Sequence, residues 1–449
     1  MPRALQAIGW ALRPLPLMRR AGERHGDLFT LRIRRGRPWV LTSHPENVKR
    51  LFTARAEDFR AAAGEANPLL GPLLGPQSVM LRDEPGHMVQ RRFMLPAFHG
   101  ERMRGYGEMV LDVARREIVG WPVGEAFVLW PRMQAISMEV VMRAVFGERD
   151  LDRLARLRAL LKRMTDWLND QRRLTMLSAL GPRWLERDGG FRRVVSPVEE
   201  AVLAEVRRRR ALGSQRDGEG ILALLEQAHD EDGSPMGEPE LRDELITLLS
   251  DGPTATSLAW AFERLLRHPE KLARLRDEAL AADGEETYVD AVVKETLRLC
   301  PAVPLVMRRL VEPTRFGDYV IPADTTVAAC VHLVHHREDV YPRSWSFLPE
   351  RFLDSPAGTY TWIPFGGGVR RCVAASFAQM EMRRVIQTVV REVELIPASG
   401  GSAHASRSSV AFAPADAQVV VRRRVGAERL GSPNILIPKR PGTTDLDVG

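Results

Sequence analysis

The 449-residue chain holds only three cysteines, Cys300, Cys330 and Cys372. Three thiols cannot build a disulfide scaffold. They fit a reducing compartment, or a single thiol with a chemical task. Lysine is almost missing: five of the 65 basic residues are Lys49, Lys162, Lys271, Lys294 and Lys439, so 60 are arginine. Aromatic residues make up 6% of the chain and do not interleave with the arginine runs. With a net charge of only +7, nucleic acid is not an expected partner. Long apolar runs are also absent. Arg3, Arg13, Pro14 and Pro16 interrupt the N-terminal stretch, which falls far short of the roughly 20 apolar residues of a membrane span. No basic segment followed by a clean apolar core marks a signal peptide. A cytoplasmic chain without a membrane span is expected. Gly366-Gly367-Gly368 lacks the strand–turn–helix setting of a dinucleotide fingerprint, so no flavin or nicotinamide domain is expected.

What is present is an ordinary globular balance, 44% hydrophobic and 27% charged. Length alone suggests about three domains. Leu28–Ile33 alternates and reads as a strand, with Trp39–Thr42 as its partner across Arg35-Gly36-Arg37-Pro38. A helix starts at Pro45. Residues 63–79 are rich in Gly and Pro and read as a long functional loop. From about 84 to 280 the period is helical. Leu151–Leu168 and Val194–Leu212 are arginine-rich amphipathic helices whose charges read as solvated faces. Further helices are expected over Leu241–Leu249, Leu258–Leu266, Val289–Leu299 and roughly 373–391. Short strands are expected over 409–412 and 418–421. Residues 1–24 read as an N-terminal segment and 425–449 as a tail.

The strongest chemical signal is Phe365-Gly366-Gly367-Gly368-Val369-Arg370-Arg371-Cys372. Glycines let a backbone approach a flat, bulky group without Cβ clashes. A thiol at the start of a helix is stabilised as thiolate, and backbone N–H groups can tune a metal bound to it. Arg370 can hold an anionic part of the same ligand. Cys300 and Cys330 lack such surroundings and read as small core residues.

This loop resembles the haem-binding loop of the cytochrome P450 family, the haem-thiolate monooxygenases. Phe365, Gly368, Arg370 and Cys372 fall in the family's places; Ala374 stands where glycine is usual. The resemblance runs from about 25 to 424. It implies one domain over 1–449, mainly α with a smaller β-rich part, and haem b ligated through iron by Cys372. His87, Arg91, Arg308 and Arg370 match family contacts to the haem propionates. Two buried carboxylates do require such partners. Glu295 and Arg298, at i and i+3, share a helix face. With Arg351 they resemble the family's structural triad, which braces the loop before Cys372. His332, His335 and His336 have no accompanying ligand pattern for zinc and resemble a polar run after a strand.

On the oxygen side the family carries an acid–threonine pair in one long helix. Here Ser250-Asp251-Gly252-Pro253-Thr254 stands in its place. Asp-Gly-Pro is a helix-breaking signal. Asp251 with Thr254 or Thr256 and water can replace the proton relay; alternatively the relay is gone, and Thr254 and Thr256 are packing residues with Asp251 as an N-cap. Family pocket positions map to Leu69, Leu70, Leu73, Val303, Leu305, Val306 and Phe412. This apolar set implies a lipophilic small molecule such as a terpenoid, fatty acyl chain or polyketide. The expected activity is insertion of one oxygen atom from O2. The alternatives are a peroxide-dependent or non-oxygenating haem-thiolate enzyme, and a non-catalytic haem or lipid binder. Electrons would come from a ferredoxin or flavodoxin-type donor with its reductase, docking near Arg371, Arg383 and Arg384. A monomer is expected.

Overall fold

The structure is a computed structural model that describes all residues except 1, 34–37, 63–68, 148–150, 181–183, 186–188, 212–219, 231, 251, 282–285, 399–404, 408–410, 415–416 and 425–449. Asp251, the expected turn at 35–37, residues 63–68 of the expected long loop and the expected tail 425–449 therefore lie outside the described residues.

Prolines punctuate the helices. Pro45, Pro253 and Pro269 each open one at its first position, where a missing N–H costs nothing. Residues 3–25, expected as a plain segment, form two helices, Arg3–Leu12 and Pro14–His25. The same Pro14 that interrupts the apolar run starts the second. Trp10 of the first packs edge-on against Trp39, with ring centroids 5.2 Å apart.

The main sheet runs in the order Leu28–Leu31, Trp39–Thr42, Thr326–Ala329, Val306–Leu310, Phe59–Ala61. Trp39–Thr42 pairs parallel with Thr326–Ala329; the other pairings are antiparallel. Both faces are covered. Val327 and Ala329 enter one apolar cluster, and Ala328 and Cys330 the other. That is the two-residue alternation of a strand.

The largest apolar cluster lies among the helices. Pro253–Leu266 runs through its centre and packs on Leu129–Phe146 and Ala375–Glu392, and the latter also packs on Arg102–Val119. The 63–79 region is not loop throughout: Leu70–Leu74 is a helix ending at Gly75, whose φ of +81° suits glycine. The expected helix 194–212 starts earlier, spanning Gly190–Ala211 with Pro197 inside it. Of the strand expected over 409–412, residues 409 and 410 lie outside the described residues; a described strand spans Phe412–Pro414. No helix among the described residues is long and apolar enough to cross a membrane.

Candidate active site

A cavity of about 510 Å³ lies between the sheet and the helical body. Cys372, Phe365 and Gly366 line it from one side; Thr247, Ser250, Thr254 and Ser257 line it from another.

The Cys372 loop is fixed by its backbone. The Cys372 N–H donates to the Phe365 carbonyl at 3.0 Å, closing the loop on itself. Gly366 and Gly368 both have φ of +66°, the left-handed region that glycine occupies without strain. A Cβ on Gly367 would strike the Phe52 ring, and one on Gly368 the Phe52 carbonyl. Two of the three glycines thus allow approach to the helix Pro45–Thr53 rather than to a ligand, and Gly368 is not among the lining residues. Gly366 is. The following helix begins at Ala375, with Ala374 as N-cap. Cys372 therefore sits in the turn before the helix, two residues ahead of the cap.

His87, Arg91, Arg308 and Arg370 converge at the same end of the cavity. His87, at the start of the helix Gly86–Met94, is 2% exposed, with Nδ1 2.7 Å from Glu84 Oε1. Burial, then the Arg370 charge, lowers its pKa to about 4 against the pull of Glu84. Burial, then Arg370, lowers Arg308 to about 9. Arg308 lies deep in the protein yet keeps accessible surface, because it faces the cavity. Burial also lowers Arg91 and Arg370. Among the described residues, Arg370 Nη2 is buried without a hydrogen bond; Glu84 Oε1 lies 3.7 Å away. Crowded, partly dehydrated cations of this kind are relieved by anionic groups placed among them. The donors beside the sulfur of Cys372 therefore fit the haem that the resemblance implies, with its two carboxylates and its iron.

Behind the loop stands the triad. Arg298 donates from Nε to Glu295 Oε2 at 2.7 Å and from Nη2 to Glu295 Oε1 at 2.8 Å, with both residues 0% exposed. Arg351 Nε lies 3.2 Å from Glu295 Oε2. Arg298 Nη1 also donates to the carbonyls of His335 and Ser344, at 2.6 and 2.7 Å. His335 completes the brace, a part that sequence reasoning missed. Its Nδ1 is 3.0 Å from the Arg298 carbonyl, and its Nε2 accepts the Ile363 N–H at 2.8 Å. Both contacts are satisfied only by a neutral ring protonated at Nδ1. Burial lowers its pKa to about 3, which keeps it neutral. Two residues beyond Ile363 the Cys372 loop begins.

The distal side departs from one long helix. Glu238–Leu249 ends at Ser250, and Pro253–Leu266 restarts after Gly252. Thr254 lines the cavity and is 8% exposed. Thr256 does not line it: fully buried, it accepts the Trp130 Nε1–H at 3.4 Å, so its expected place in a relay is corrected to packing. Two hydroxyls went unnoticed in the sequence. Ser257 lines the cavity while donating to the Pro253 carbonyl at 2.9 Å, and the Ser250 hydroxyl is buried without a hydrogen-bond partner among the described residues.

Of the expected apolar wall, Leu70, Leu73, Val303, Leu305, Val306 and Phe412 line the cavity. Leu69 does not; it is 1% exposed within the helical core. Trp10 and Pro14 join the wall unexpectedly. Arg383 and Arg384, expected on a partner surface, are held by Asp290 at 2.8 Å and Glu286 at 2.5 Å, whereas Arg371 is exposed.

The family model for cytochrome P450 matches residues 6–421. The chain is 39% identical over 402 residues to the protein named as cytochrome P450 135B1 in Mycobacterium bovis, covering 87% of this chain and 84% of that one. It is 33% identical over 436 residues to the one named as cytochrome P450 138 in Mycobacterium tuberculosis, covering 94% and 95%. Among solved structures, retinoic acid-bound cyanobacterial CYP120A1 superposes with a TM-score of 0.80 at 21% identity, over 93% of this chain and 96% of that one. The cytochrome P450DA haem domain gives 0.79 at 22%, over 93% and 96%. The chain belongs to the cytochrome P450 family of haem-thiolate monooxygenases, oxidoreductases whose cofactor is haem b.

Proposed function

We propose that this enzyme inserts one oxygen atom from O2 into a lipophilic small molecule, with electrons from a separate ferredoxin or flavodoxin-type donor and its reductase. The observation that carries this reading is the cavity, whose apolar wall meets Cys372 and the four basic side chains at one end. Haem, when bound, supplies dioxygen activation and oxygen-atom transfer. Cys372 would hold the iron. Arg91, Arg308, Arg370 and His87 would hold the two carboxylates, and the loop from Phe365 would back the ring. Leu70, Leu73, Leu305, Val306 and Phe412 would orient the substrate and exclude water. Thr254, with Ser250 beside it, would hold and pass a proton at its hydroxyl oxygen; Asp251 is the nearest carboxyl in sequence for such a role. The reading takes the chain over 1–449 as one domain working as a cytoplasmic monomer; motifs from 87 to 372 lining a single cavity support its single-domain part.

A second reading rests on the break at 250–252. With Gly252-Pro253 where the family's acid–threonine pair would stand, the same site can run on peroxide.

A carbon-monoxide difference spectrum of the reduced protein tests the thiolate site. A red-shifted Soret band that Cys372→Ser abolishes is expected; an unshifted band, or no haem uptake, would overturn the assignment. Product formed with a ferredoxin system and O2, and not with hydrogen peroxide alone, would separate the two readings.

A further inference from the structure

Most helices of this chain turn an apolar stripe inward, as amphipathic helices do. Glu238–Leu249 also turns a polar one inward. Glu240, Asp243, Glu244 and Thr247, at i, i+3, i+4 and i+7, share one face, and each meets the segment 75–90. Glu240 Oε1 accepts Arg82 Nη1 at 2.8 Å and Gln90 Nε2 at 3.2 Å. Asp243 Oδ2 accepts the Gln77 N–H at 2.8 Å. Glu244 Oε1 accepts the Val79 N–H at 2.7 Å. Thr247 donates to the Asp243 carbonyl at 2.7 Å, and its oxygen lies 2.8 Å from the Ser78 hydroxyl. Asp243 and Glu244 are both 0% exposed. The fit is close: a Cβ on Gly75 would strike the Asp243 carboxylate.

Burying two adjacent carboxyls is unfavourable unless they are tightly hydrogen-bonded. The segment 75–82 forms no strand; the N–H groups of Gly75, Ser78, Met80, Leu81 and Arg82 find acceptors within residues 71–78, and the stripe supplies acceptors for Gln77 and Val79. The residues so pinned alternate with cavity wall: Leu73, Leu74, Val79 and Met80 line the cavity, as do Thr247 and Leu248 on the helix side. Burial raises Asp243 and raises Glu244 to about 8. Burial thus favours the neutral form of Glu244, whose Oε2 has no hydrogen bond among the described residues, and Arg242 Nη2 lies 2.6 Å from Asp243 Oδ1.

We propose that Asp243 and Glu244, supported by Glu240 and Thr247, are positioning residues that pin the 75–82 segment and thereby set which lipophilic molecules the cavity admits. This rests on the reading of the cavity as the substrate site. Glu240, Asp243 and Glu244 do not line the cavity and act through Val79, Met80 and the leucines ahead of them; Thr247 alone of the stripe lines it.

The test uses the full-length haem-loaded protein. Amide hydrogen exchange of peptides covering 75–82 is measured, together with Soret-shift titrations with a small azole, 4-phenylimidazole, and a bulky one, clotrimazole. Glu244→Ala removes a buried acceptor, which should speed exchange in 75–82 by about tenfold or more and change the ratio of the two azole affinities by roughly fivefold. Glu244→Gln keeps a neutral acceptor and should stay near the parent in both. If Glu244→Ala does not accumulate, Gly75→Ala, which pushes into the Asp243 carboxyl from the loop side, should give the same two effects. Unchanged exchange in 75–82, or a uniform rise along the whole chain, would overturn the pinning. Faster local exchange with an unchanged affinity ratio would overturn the specificity role. A parent protein that binds neither azole would overturn the functional reading, and the specificity role with it.

Discussion

The wall that carries Cys372 is held by backbone, and the wall that carries Thr254 is held by side chains. Around Cys372 the chain must follow one path. Two glycines stand at φ of +66°, two approach Phe52 where no side chain fits, and His335 ties Ile363 to the Arg298 carbonyl. Across the cavity a helix stops at Ser250 and restarts at Pro253. Its partners, the Ser250, Thr254 and Ser257 hydroxyls and the 75–82 segment, are chosen by side-chain chemistry. Backbone constraints admit few residues. Side-chain constraints admit many, and that is where one family member can differ from the next.

The comparison breaks most sharply at the triad. Arg298→Ala would strip the buried Glu295 of its two-pronged partner, leaving Arg351 and the Leu348 N–H, and would orphan the carbonyls of His335 and Ser344. A loss of about 3–5 kcal/mol is expected, as for other broken buried pairs. Urea unfolding should show it together with loss of haem. If the variant retains haem and most of its stability, the backbone account of this wall fails.

A smaller effect tests the loop. Gly368→Ala must adopt a left-handed backbone and meets the Phe52 carbonyl. It should cost about 1–3 kcal/mol or somewhat more, with weakened haem retention in gel filtration. Shrinking the neighbour with Phe52→Ala should not rescue it, because the clash at 368 is with backbone; rescue would show that the ring is what matters.

This contrast explains what was legible in the sequence. Phe365, Arg370 and Cys372, and Glu295 with Arg298 and Arg351, stood out because fixed geometry demands fixed residues at fixed spacing. The helices of the central body followed from their apolar period. Thr256 stands two positions beyond Thr254, roughly 200° round the helix, so one hydroxyl at most faces the cavity, and a motif with a break in it does not say which. Leu69 precedes the helix Leu70–Leu74 and turns into the core, which a stretch rich in Gly and Pro does not reveal. Trp10 and Pro14 were invisible as wall residues, since only tertiary packing brings the N-terminal helices to the cavity. The polar stripe at 240–247 could have been found: Glu240, Asp243, Glu244 and Thr247 at i, i+3, i+4 and i+7 put four polar side chains on one helix face, which is a signal. His335 could not, because its partners are a carbonyl and an N–H, which every residue has.

Acid should affect the two walls unequally. Burial holds His335 at about 3 and His87 and His332 at about 4, and holds His336 well below its ordinary value. Each folded value lies below the unfolded 6.5, so stability is fully present above pH 6.5 and is lost as pH falls from there toward 4. Glu244 has the opposite sign. Raised from 4.5 to about 8, it contributes stability that is fully present below pH 4.5 and is lost progressively as pH rises from there through 8. Melting temperature should therefore peak near pH 6.5, fall on the acid side as the histidines charge, and fall more gently towards pH 8 as Glu244 ionises. On the acid side, exchange should rise first near 363–372; on the alkaline side, near 75–82. Simultaneous loss at both places would mean that the walls open as one unit.

The gentlest prediction divides the distal wall itself. Thr254 faces the cavity and Thr256 faces Trp130. Thr254→Ala should lower product formed per electron consumed, while Thr256→Ala should leave that ratio alone and lower only stability. Because the Ser250 and Ser257 hydroxyls share the wall, the Thr254→Ala drop should be about two- to tenfold, below the roughly hundredfold of a sole proton donor. Adding Ser250→Ala should deepen it by more than the sum of the single effects, the sign of two groups serving one proton. Equal ratios in parent and double variant would remove the hydroxyls from the chemistry. The break at Gly252-Pro253 would then be a wall without a relay, and peroxide, which brings its own protons, would become the reactant that fits it.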